Sequence, residues 1–325
     1  MRSLQKTWAV VLAAGEGTQL AQLTKDASGN AVPKQFCSLN GGPSLLHEAL
    51  QRARHVVPRG RLCAIVAEQH RRHWCSTLQS LPATNVIRQP VNRGTANGVL
   101  LSVLSILRRD ALARILFLPA DHYVRDERAL GGALRETLTL LTRTPEKLVL
   151  IGIEPEEPDP ELGYIVPGEV LPDGSRTVQA FAEKPDRARA RRLLSAGSLW
   201  NSFIFGASGP GLLRMIRARM GDIVDRMEAA LARDATRDSG ALEELYEQLP
   251  TMDFSRQVIE GSEGFLRVIR APACGWSDLG TPARVAAILR RLKAERGSRG
   301  GLSSSIGELF GTPAVVNLAT RYTQP

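Results

Sequence analysis

The sequence has 325 residues, 43% hydrophobic and 23% charged, a balance that excludes a chain disordered over most of its length. The net charge of +9 is dispersed, and its densest run, residues 187–192, has no interleaved aromatic side chains, so we interpret it as a solvated helix face and expect no nucleic-acid partner. No apolar run approaches the roughly 20 residues that span a bilayer, and the four cysteines lack CxxC spacing, so we expect a cytoplasmic protein that binds no membrane.

The first half of the chain alternates short apolar runs with longer helical patterns. The predicted strands are TWAVVLAA, RLCAIVA, NVIRQ, ARILFLPA and KLVLIGI. The predicted helices are SLLHEALQRARHV, GTANGVLLSVLSILRR and ERALGGALRETLTLLTR, the first with Ser44 as a candidate N-cap. This alternation predicts an α/β fold with a Rossmann-like, mostly parallel twisted sheet flanked by helices.

The pattern changes after residue 153. A Pro-rich acidic loop is followed by an antiparallel pair, GYIVPG and RTVQAFAEK, which we interpret as an insertion in the fold. The later predicted elements are the helix DRARARRLLSA, the strand LWNSFIFGA, a mostly helical stretch over 208–260, the strand EGFLRVIRA and a last helix whose first turn holds Pro282. We predict one domain over 7–292, with halves that meet near residue 153, and a mobile C-terminal tail over 293–325.

Three loops follow predicted strands in a fold that binds ligands at the carboxyl ends of its strands. AAGEGTQL has the small residues that let a phosphate group approach the backbone. The loop alone is equally consistent with a tight turn between a strand and a helix. It is not the dinucleotide-binding G-x-G-x-x-G motif, because Leu20 stands at the third glycine position. Lys34, held by Pro33 in VPKQF, is a candidate phosphate clamp. Asp121 at the end of ILFLPA is a candidate Mg²⁺ ligand, with a turn-capping role as the alternative.

A set of short motifs occurs in one order along the chain: L-A-A-G-x-G-T, P-K-Q-F, R-G-T-A, P-A-D-H, G-Y-I, E-K-P, W-N-S and W-S-D-L-G. In this order they resemble the sugar-phosphate nucleotidyltransferase family, and most closely its mannose-1-phosphate guanylyltransferases, over roughly residues 7–290. The resemblance implies a GT-A-like nucleotidyltransferase fold with a nucleotide-binding half over 7–153 and a sugar-phosphate-binding half over 154–292.

The same resemblance implies the reaction. A nucleotidyl group passes from a nucleoside triphosphate to a sugar-1-phosphate, and pyrophosphate leaves. GTP and mannose-1-phosphate would be the substrates, GDP-mannose the product and Mg²⁺ the cofactor, in nucleotide-sugar biosynthesis. The chain ends before the isomerase domain of two-function relatives, so we expect one activity, and a homodimer is one expected assembly.

The family's site residues can be carried over by motif. The resemblance assigns nucleotide binding to Ala13, Ala14, Gly15, Gly17, Thr18, Gln19, Gln89, Gly94 and Thr95. It assigns sugar-phosphate binding to Gly163, Tyr164, Glu183, Lys184 and Asn201, and catalysis to Lys34, Asp121, Lys184 and Asp278, of which Asp121 and Asp278 would share the Mg²⁺.

Several of these residues have simpler interpretations. Gly163 could belong to a hairpin turn, and Tyr164 could be an aromatic residue of the core. Glu183 and Lys184 could form a surface ion pair that contributes little to stability. We expect His122 to be a structural hydrogen-bonding residue, because this reaction needs no general base with a pKa near 7.

Gln19 departs from the family pattern, which has arginine at this position of the loop. Glutamine lacks the charge and the bidentate fork of arginine, so transition-state stabilisation could fall unless another cation, such as nearby Lys25, compensates. This leaves a non-catalytic nucleotide-sugar sensor as an alternative.

Two other departures bear on specificity and class. R-G-T-A-N-G replaces the usual R-N-T-A-P-A, so a thymidylyl- or uridylyltransferase is a near alternative. A glycosyltransferase on a related sheet would normally present Asp-x-Asp, whereas this chain has Asp-His-Tyr at 121–123.

Overall fold

The computed structural model describes residues 6–17, 20–235, 240–298 and 316–318. In this part of the chain one sheet is formed by β1 (Thr7–Leu12), β2 (Leu62–Ala67), β3 (Val86–Gln89), β4 (Arg114–Pro119), β5 (Leu148–Ile153), β6 (Tyr164–Val170), β7 (Arg176–Ala182), β8 (Leu199–Ser208) and β9 (Leu266–Arg270). The helices are α1 (Leu45–Arg54), α2 (Arg71–Leu78), α3 (Gly94–Leu107), α4 (Glu127–Arg143), α5 (Arg187–Ser195), α6 (Gly209–Ala235), α7 (Ala241–Gln248) and α8 (Pro282–Ser298).

The strand order is β3-β2-β1-β4-β8-β5-β9-β7-β6. The strands β3, β2, β1 and β4 pair in parallel, as do β5 and β9, whereas β8 is antiparallel to both β4 and β5. The pair β6–β7 is antiparallel and ends this order, with β7 antiparallel to β9 and β6 also paired antiparallel with β8. The predicted α/β class, with its mostly parallel sheet and antiparallel insertion, is therefore confirmed.

Strand β1 shows why the apolar runs of the first half are continuous. Ala9 and Val11 belong to the hydrophobic core on one face of the sheet, and Trp8 and Val10 belong to the core on the other face. Because successive side chains point to opposite faces, a strand covered on both sides must be apolar at every position.

The helix ends follow the local signals in most cases. The Ser44 hydroxyl accepts a hydrogen bond from the His47 N–H at 3.3 Å, which confirms the predicted N-cap of α1. Helix α2 was not predicted, since only Trp74 and Leu78 of its eight residues are buried and the pattern is too short to detect. In α5 only Ala190 is buried and the arginines are exposed, as expected for a solvated face.

The C-terminal region differs in part from the predicted tail. Helix α8 continues to Ser298, beyond the predicted boundary at 292. Ser38 donates from its N–H to the Val316 carbonyl and accepts from the Leu318 N–H, both at 2.9 Å, and Leu318 is buried. Residues 316–318, which fall within the predicted tail, are held by a backbone bridge and by the burial of Leu318. The remaining positions of 299–325 lie outside the described residues. Among the described helices, none has the length and apolar character to cross a bilayer.

Candidate active site

A cleft of about 340 Å³ lies at the carboxyl ends of the parallel strands. Leu12, Gln89 and Pro119 reach it from the ends of β1, β3 and β4, and Asn201 reaches it from the start of antiparallel β8, which lies at the same edge. Thirteen of the predicted site residues line this cleft: Ala14, Gly15, Gly17, Lys34, Gln89, Gly94, Thr95, Asp121, Gly163, Glu183, Lys184, Asn201 and Asp278. Motifs that are far apart in the sequence therefore meet in one place.

The glycine loop after β1 is supported by the PKQF segment. Gly17 has φ +63°, and a Cβ there would lie 2.5 Å from the Lys34 backbone nitrogen, so only glycine permits this approach. The buried amide of Gln35 donates to the carbonyls of Ala13 and Gly15, at 3.1 and 2.7 Å. The loop conformation and the position of Lys34 are consequently linked.

Lys34 lies at the centre of the charged groups of the cleft. Its ammonium is 3.0 Å from an Asp121 carboxylate oxygen and donates to the Asp278 carbonyl at 2.6 Å. The residue is only 4% exposed, and its short 3₁₀ turn, Lys34–Phe36, begins directly after Pro33. A buried lysine held by fixed acceptors is a preorganised positive charge.

A backbone bridge brings the second carboxylate beside the first. Tyr123 and Ser277 exchange N–H···O=C hydrogen bonds at 2.8 and 2.9 Å, which places the segment after Asp121 against the segment before Asp278. The Asp278 carboxylate also forms an ion pair with Arg284, which in turn contacts Asp159. Arg284 thereby holds the Asp278 carboxylate, while Lys34 holds the Asp278 backbone carbonyl.

The two carboxyl groups titrate differently. Burial would raise the pKa of Asp121, but the charge of Lys34, with a smaller contribution from His122 at the acidic pH where Asp121 titrates, outweighs it and the pKa is lowered. Burial raises the pKa of Asp278, opposed by Lys34 and reinforced by the neighbouring Asp121 charge.

His122 lines the cleft beside Asp121 and forms the kind of buried hydrogen bond expected of a structural residue. Burial lowers its pKa to about 4, so the ring is neutral near pH 7, and its Nδ1 accepts a hydrogen bond from the Trp276 indole at 3.2 Å. The proton of the neutral ring therefore lies on Nε2, which faces Asp121.

The donor set fits a hard divalent cation. Asp121 and Asp278 supply carboxylate oxygens that repel one another, and a cation between them would offset that repulsion. Among the described residues there is no cluster of three or more acidic, histidine or cysteine ligands. Such a pair suits Mg²⁺, which commonly takes one or two carboxylates and fills its shell with water and phosphate oxygens.

The R-G-T-A motif begins α3 and packs against residues 252–254. Gly94 has φ +82°, and a Cβ there would lie 2.3 Å from the Met252 carbonyl oxygen. The Met252 N–H donates to the Arg93 carbonyl at 3.1 Å, and the Thr95 hydroxyl accepts from the Phe254 N–H at 2.8 Å. The first turn of α3 is therefore positioned by a segment from the second half of the chain.

We expect Gly94→Ala to destabilise the fold by about 3 kcal/mol, because a left-handed backbone and a collision with the Met252 backbone add together. Urea unfolding monitored by circular dichroism measures this. Gly132→Ala is the matched control, since Gly132 is exposed in α4 and has no atom within 4 Å of an added Cβ. The control should be neutral or stabilising by up to about 1 kcal/mol. Equal effects of the two substitutions would contradict the assigned role of Gly94.

The second half of the chain supplies the other wall of the cleft. The Asn201 N–H donates to the Gly163 carbonyl at 2.8 Å, and the Asn201 side-chain oxygen accepts from the Phe203 N–H at 3.1 Å. Glu183 and Lys184 follow directly after β7. Lys184 and Phe203, both lining the cleft, have left-handed backbones with φ of +46° and +55°, a conformation that is costly for non-glycine residues and concentrates at functional sites.

The pKa of Glu183 is raised to about 7 from an ordinary 4.5, chiefly by burial and then by the charge of Asp253, against the opposing effects of Lys184, Ser255 and Arg256. The folded state therefore holds a proton that the unfolded state releases. We expect stability to fall as the pH rises from about 4.5 to about 7.

Glu183→Gln should flatten this part of the curve of unfolding free energy against pH. Glu48, whose pKa burial also raises to about 7, contributes in the same direction, so the flattening should be partial. Glu136→Gln, on the exposed face of α4, is the control. If the unfolding free energy falls with pH as steeply in Glu183→Gln as in the wild-type protein, the raised pKa does not belong to Glu183.

Two predicted contacts need correction. Tyr164 is fully buried and does not line the cleft, and its hydroxyl accepts from the Asp159 N–H at 2.7 Å, so it is a core residue that positions the loop before β6. Ala13 is 1% exposed and contributes its carbonyl to Gln35 rather than a surface to the cleft. Thr18 and Gln19 lie outside the described residues. Lys25 is exposed and does not line the cleft.

The motifs also missed several lining residues, namely Gln35, Asn92, Glu161, Phe203, Asp253 and Ser255. Gln35 stands inside the P-K-Q-F motif and Asn92 directly precedes R-G-T-A, so both could have been found from the sequence. Asp253 lies in a stretch whose only sequence signal is helical character, so the sequence contains no local indication of its position.

These features define a class of protein. A glycine loop, a buried lysine and two carboxylates at the carboxyl ends of a mostly parallel sheet form the site of an α/β enzyme for phosphorylated ligands. The sequence profile of the nucleotidyl transferase family matches residues 8–294, and the chain belongs to that family.

Named relatives agree with this assignment. The chain is 30% identical over 284 residues to the alginate biosynthesis protein AlgA of Pseudomonas aeruginosa, which covers 84% of this chain and 56% of AlgA. It is 29% identical over 280 residues to a mannose-1-phosphate guanylyltransferase of Klebsiella pneumoniae, covering 84% of this chain and 58% of that protein. The chain thus spans little more than half the length of these curated relatives.

A solved structure shares the fold. The crystal structure described as a mannose-1-phosphate geranyltransferase from Thermus thermophilus superposes with a TM-score of 0.72 at 30% identity, covering 85% of this chain and 77% of the other.

Proposed function

We propose that this protein transfers a nucleotidyl group from a nucleoside triphosphate to a sugar-1-phosphate and releases pyrophosphate, with GTP and mannose-1-phosphate as its substrates. The observation that carries the proposal is the contact of buried Lys34 with Asp121 and the Asp278 backbone, in a cleft lined by both halves of the chain. The arrangement suits a reaction in which two anions must meet.

In the proposed reaction a phosphate oxygen of the sugar-1-phosphate attacks the α-phosphorus of the triphosphate. One P–O bond forms, the bond to the β-phosphate oxygen breaks, and pyrophosphate leaves with the electron pair. The attacking phosphate is already ionised near pH 7, so no general base is needed, and the neutral ring of His122 is consistent with this. Rate acceleration then comes from positioning and charge neutralisation.

The chain offers cations for both reactants. Lys34 lies beside the glycine loop and would neutralise charge on the triphosphate. Lys184, exposed on the opposite wall beside Glu183 and Asn201, would pair with the phosphate of the sugar. Asp121 and Asp278 would hold Mg²⁺, which when bound supplies charge neutralisation at the phosphate oxygens.

The choice of GTP and mannose-1-phosphate is supported by relatives that carry the name mannose-1-phosphate guanylyltransferase. The R-G-T-A-N-G motif differs from the usual family form, so a thymidylyl- or uridylyltransferase is the nearest alternative. A glycosyltransferase is disfavoured, because position 123 is Tyr123 rather than a second aspartate.

The first test is pyrophosphate release by the purified protein with Mg²⁺, across a grid of nucleoside triphosphates and sugar-1-phosphates. Turnover confined to GTP with mannose-1-phosphate is the expected result. Turnover with another pair would retain the reaction and correct the substrates. Absence of turnover from folded protein that binds nucleotide would overturn the proposed activity.

A nucleotide-sugar sensor is the second candidate, and the charge of the glycine loop favours it. Glu16 places a carboxylate in that loop, held by Gln69 at 2.7 Å, Asn92 at 3.1 Å and His70 at 3.3 Å, and Gln19 removes the family's cation.

Gln19→Arg tests whether the missing cation limits the rate. If the wild-type protein is a weakened enzyme, restoring arginine should raise kcat at least about tenfold, on the scale of one charged donor at the transition state. Gln79→Arg, placed after α2, adds the same charge outside the cleft and controls for non-specific attraction. A rate that rises equally in both variants would reject this role of position 19.

A further inference from the structure

The segment 252–255 joins the two walls of the cleft. Met252 and Phe254 are hydrogen-bonded to the beginning of α3, as described above, and Ser255 contacts the Glu183 side chain from the other wall. Asp253 and Ser255 both line the cleft. The segment thus runs between the R-G-T-A motif and the E-K-P motif.

The Asp253 carboxylate has two different surroundings. One oxygen accepts the Arg256 N–H at 3.0 Å and so fixes the turn that follows. The other oxygen is 3.4 Å from the Thr95 hydroxyl, a distance at which a hydrogen bond is weak. Since the residue also lines the cleft, this second oxygen retains capacity to accept from a ligand.

A second carboxylate lies on this part of the cleft. Asp253 is close enough to Glu183 to raise the pKa of that residue. A carboxylate is costly to desolvate unless hydrogen-bond donors reach it, and it repels a phosphate group that contacts it directly. Hydroxyl groups of a sugar ring are such donors and are neutral. The free oxygen of Asp253 therefore suits a ring hydroxyl, whereas the phosphate of the sugar would pair with Lys184.

We propose that Asp253 accepts a hydrogen bond from a ring hydroxyl of the bound substrate and thereby selects a hydroxylated ring over its deoxy analogue. This inference rests on the proposed function and assigns a specificity-determining residue to it. Both substrates contain such a ring, the ribose of the nucleotide and the hexose of the sugar-1-phosphate, and the experiment separates them.

Asp253→Asn is the informative variant. An asparagine oxygen can still accept from the Arg256 N–H, so the turn is retained, whereas the amide group presents a donor where the carboxylate presented an acceptor. We expect KM for one substrate to rise about tenfold or more, equivalent to about 1.4 kcal/mol, with kcat changed less than about threefold.

Deoxy substrates identify the hydroxyl. The 2′-deoxy and 3′-deoxy forms of GTP are compared with the 2-deoxy, 3-deoxy and 4-deoxy forms of mannose-1-phosphate, for wild-type protein and Asp253→Asn. The analogue that lacks the partner hydroxyl should bind both proteins equally, because the interaction is absent from each. Its position on ribose or on hexose names the ring that Asp253 contacts.

Asp222→Asn is the matched control, since Asp222 is an exposed carboxylate on α6 with 84% of its side chain accessible. A KM unchanged by Asp253→Asn, or raised equally for every analogue, overturns the inference while leaving the proposed function intact. If wild-type protein turns over no substrate pair, the proposed function fails separately. The same comparison is then made by calorimetry with GTP, mannose-1-phosphate and their deoxy forms, where equal affinities of wild type and variant for all of these ligands would overturn the role of Asp253.

Discussion

Lys34→Met is expected to lower kcat by about 10²–10³, the scale observed when one preorganised donor to a transition state is removed. Methionine preserves most of the length and apolar stem of lysine but contributes no charge. Lys34 is only 4% exposed and its ammonium contacts both Asp121 and the Asp278 carbonyl, so the substitution leaves these two acceptors without their charged donor. Steady-state pyrophosphate release measures the effect.

The variant also leaves Asp121 without its ion pair, so folding must be checked independently. Asp121 is 35% exposed and can be solvated, and we expect the thermal transition to remain cooperative. Lys147→Met is the control: Lys147 is a partly buried lysine that donates to the Gly264 carbonyl and does not line the cleft. A folded Lys34→Met protein with kcat within about tenfold of wild type would exclude Lys34 as the central cation.

Asp121→Asn is expected to lower kcat by a similar factor of about 10²–10³ and to raise the Mg²⁺ concentration at half-maximal rate about tenfold or more. The interaction with Lys34 keeps the pKa of Asp121 low, so the wild-type group is ionised throughout the neutral range. Asparagine offers one neutral oxygen and an amide donor in its place. The readouts are a Mg²⁺ titration of the rate and binding of Mn²⁺ to the protein by electron paramagnetic resonance.

Asp126→Asn provides the control from the same loop. Asp126 caps α4 by accepting from the Arg128 and Ala129 N–H groups, a role that asparagine also fills. Replacing Asp126 with asparagine should leave the Mg²⁺ titration of the rate unchanged. If Asp121→Asn shifts neither the Mg²⁺ titration nor Mn²⁺ binding, Asp121 is not a metal ligand and its role is limited to the ion pair with Lys34.

Much of the site could be predicted because its motifs stand at the ends of strands. Strands β1 and β4 are recognisable from their apolar runs, and in a parallel sheet the carboxyl ends of the strands lie at the same edge. Gly15, Lys34 and Asp121 were therefore expected to be neighbours before any contact was known. Residues of the second half, such as Asn201 and Glu183, depended on the resemblance to a family, because an antiparallel strand gives no rule for where ligands bind.

The remaining features required the tertiary structure. Tyr164 follows Gly163 in one motif, yet Gly163 lies in the loop before β6, whereas Tyr164 is the first residue of that strand and is buried in the core. Helix α2 has too few apolar residues to show a period. Asp253 reaches the cleft because its neighbours are hydrogen-bonded to the start of α3, a long-range contact that no local pattern encodes.

By itself, the sequence determined the α/β class, the boundaries of most strands and helices, and the glycine loop, since hydrophobic periodicity and backbone preference act over a few residues. The resemblance had already paired Asp121 with Asp278, but only the tertiary structure decided that Lys34 contacts both residues and that a bridge between Tyr123 and Ser277 brings them together. Long-range pairing depends on the packing of the whole sheet and its two hydrophobic cores, and this packing, rather than any short motif, assembles the charges of the cleft.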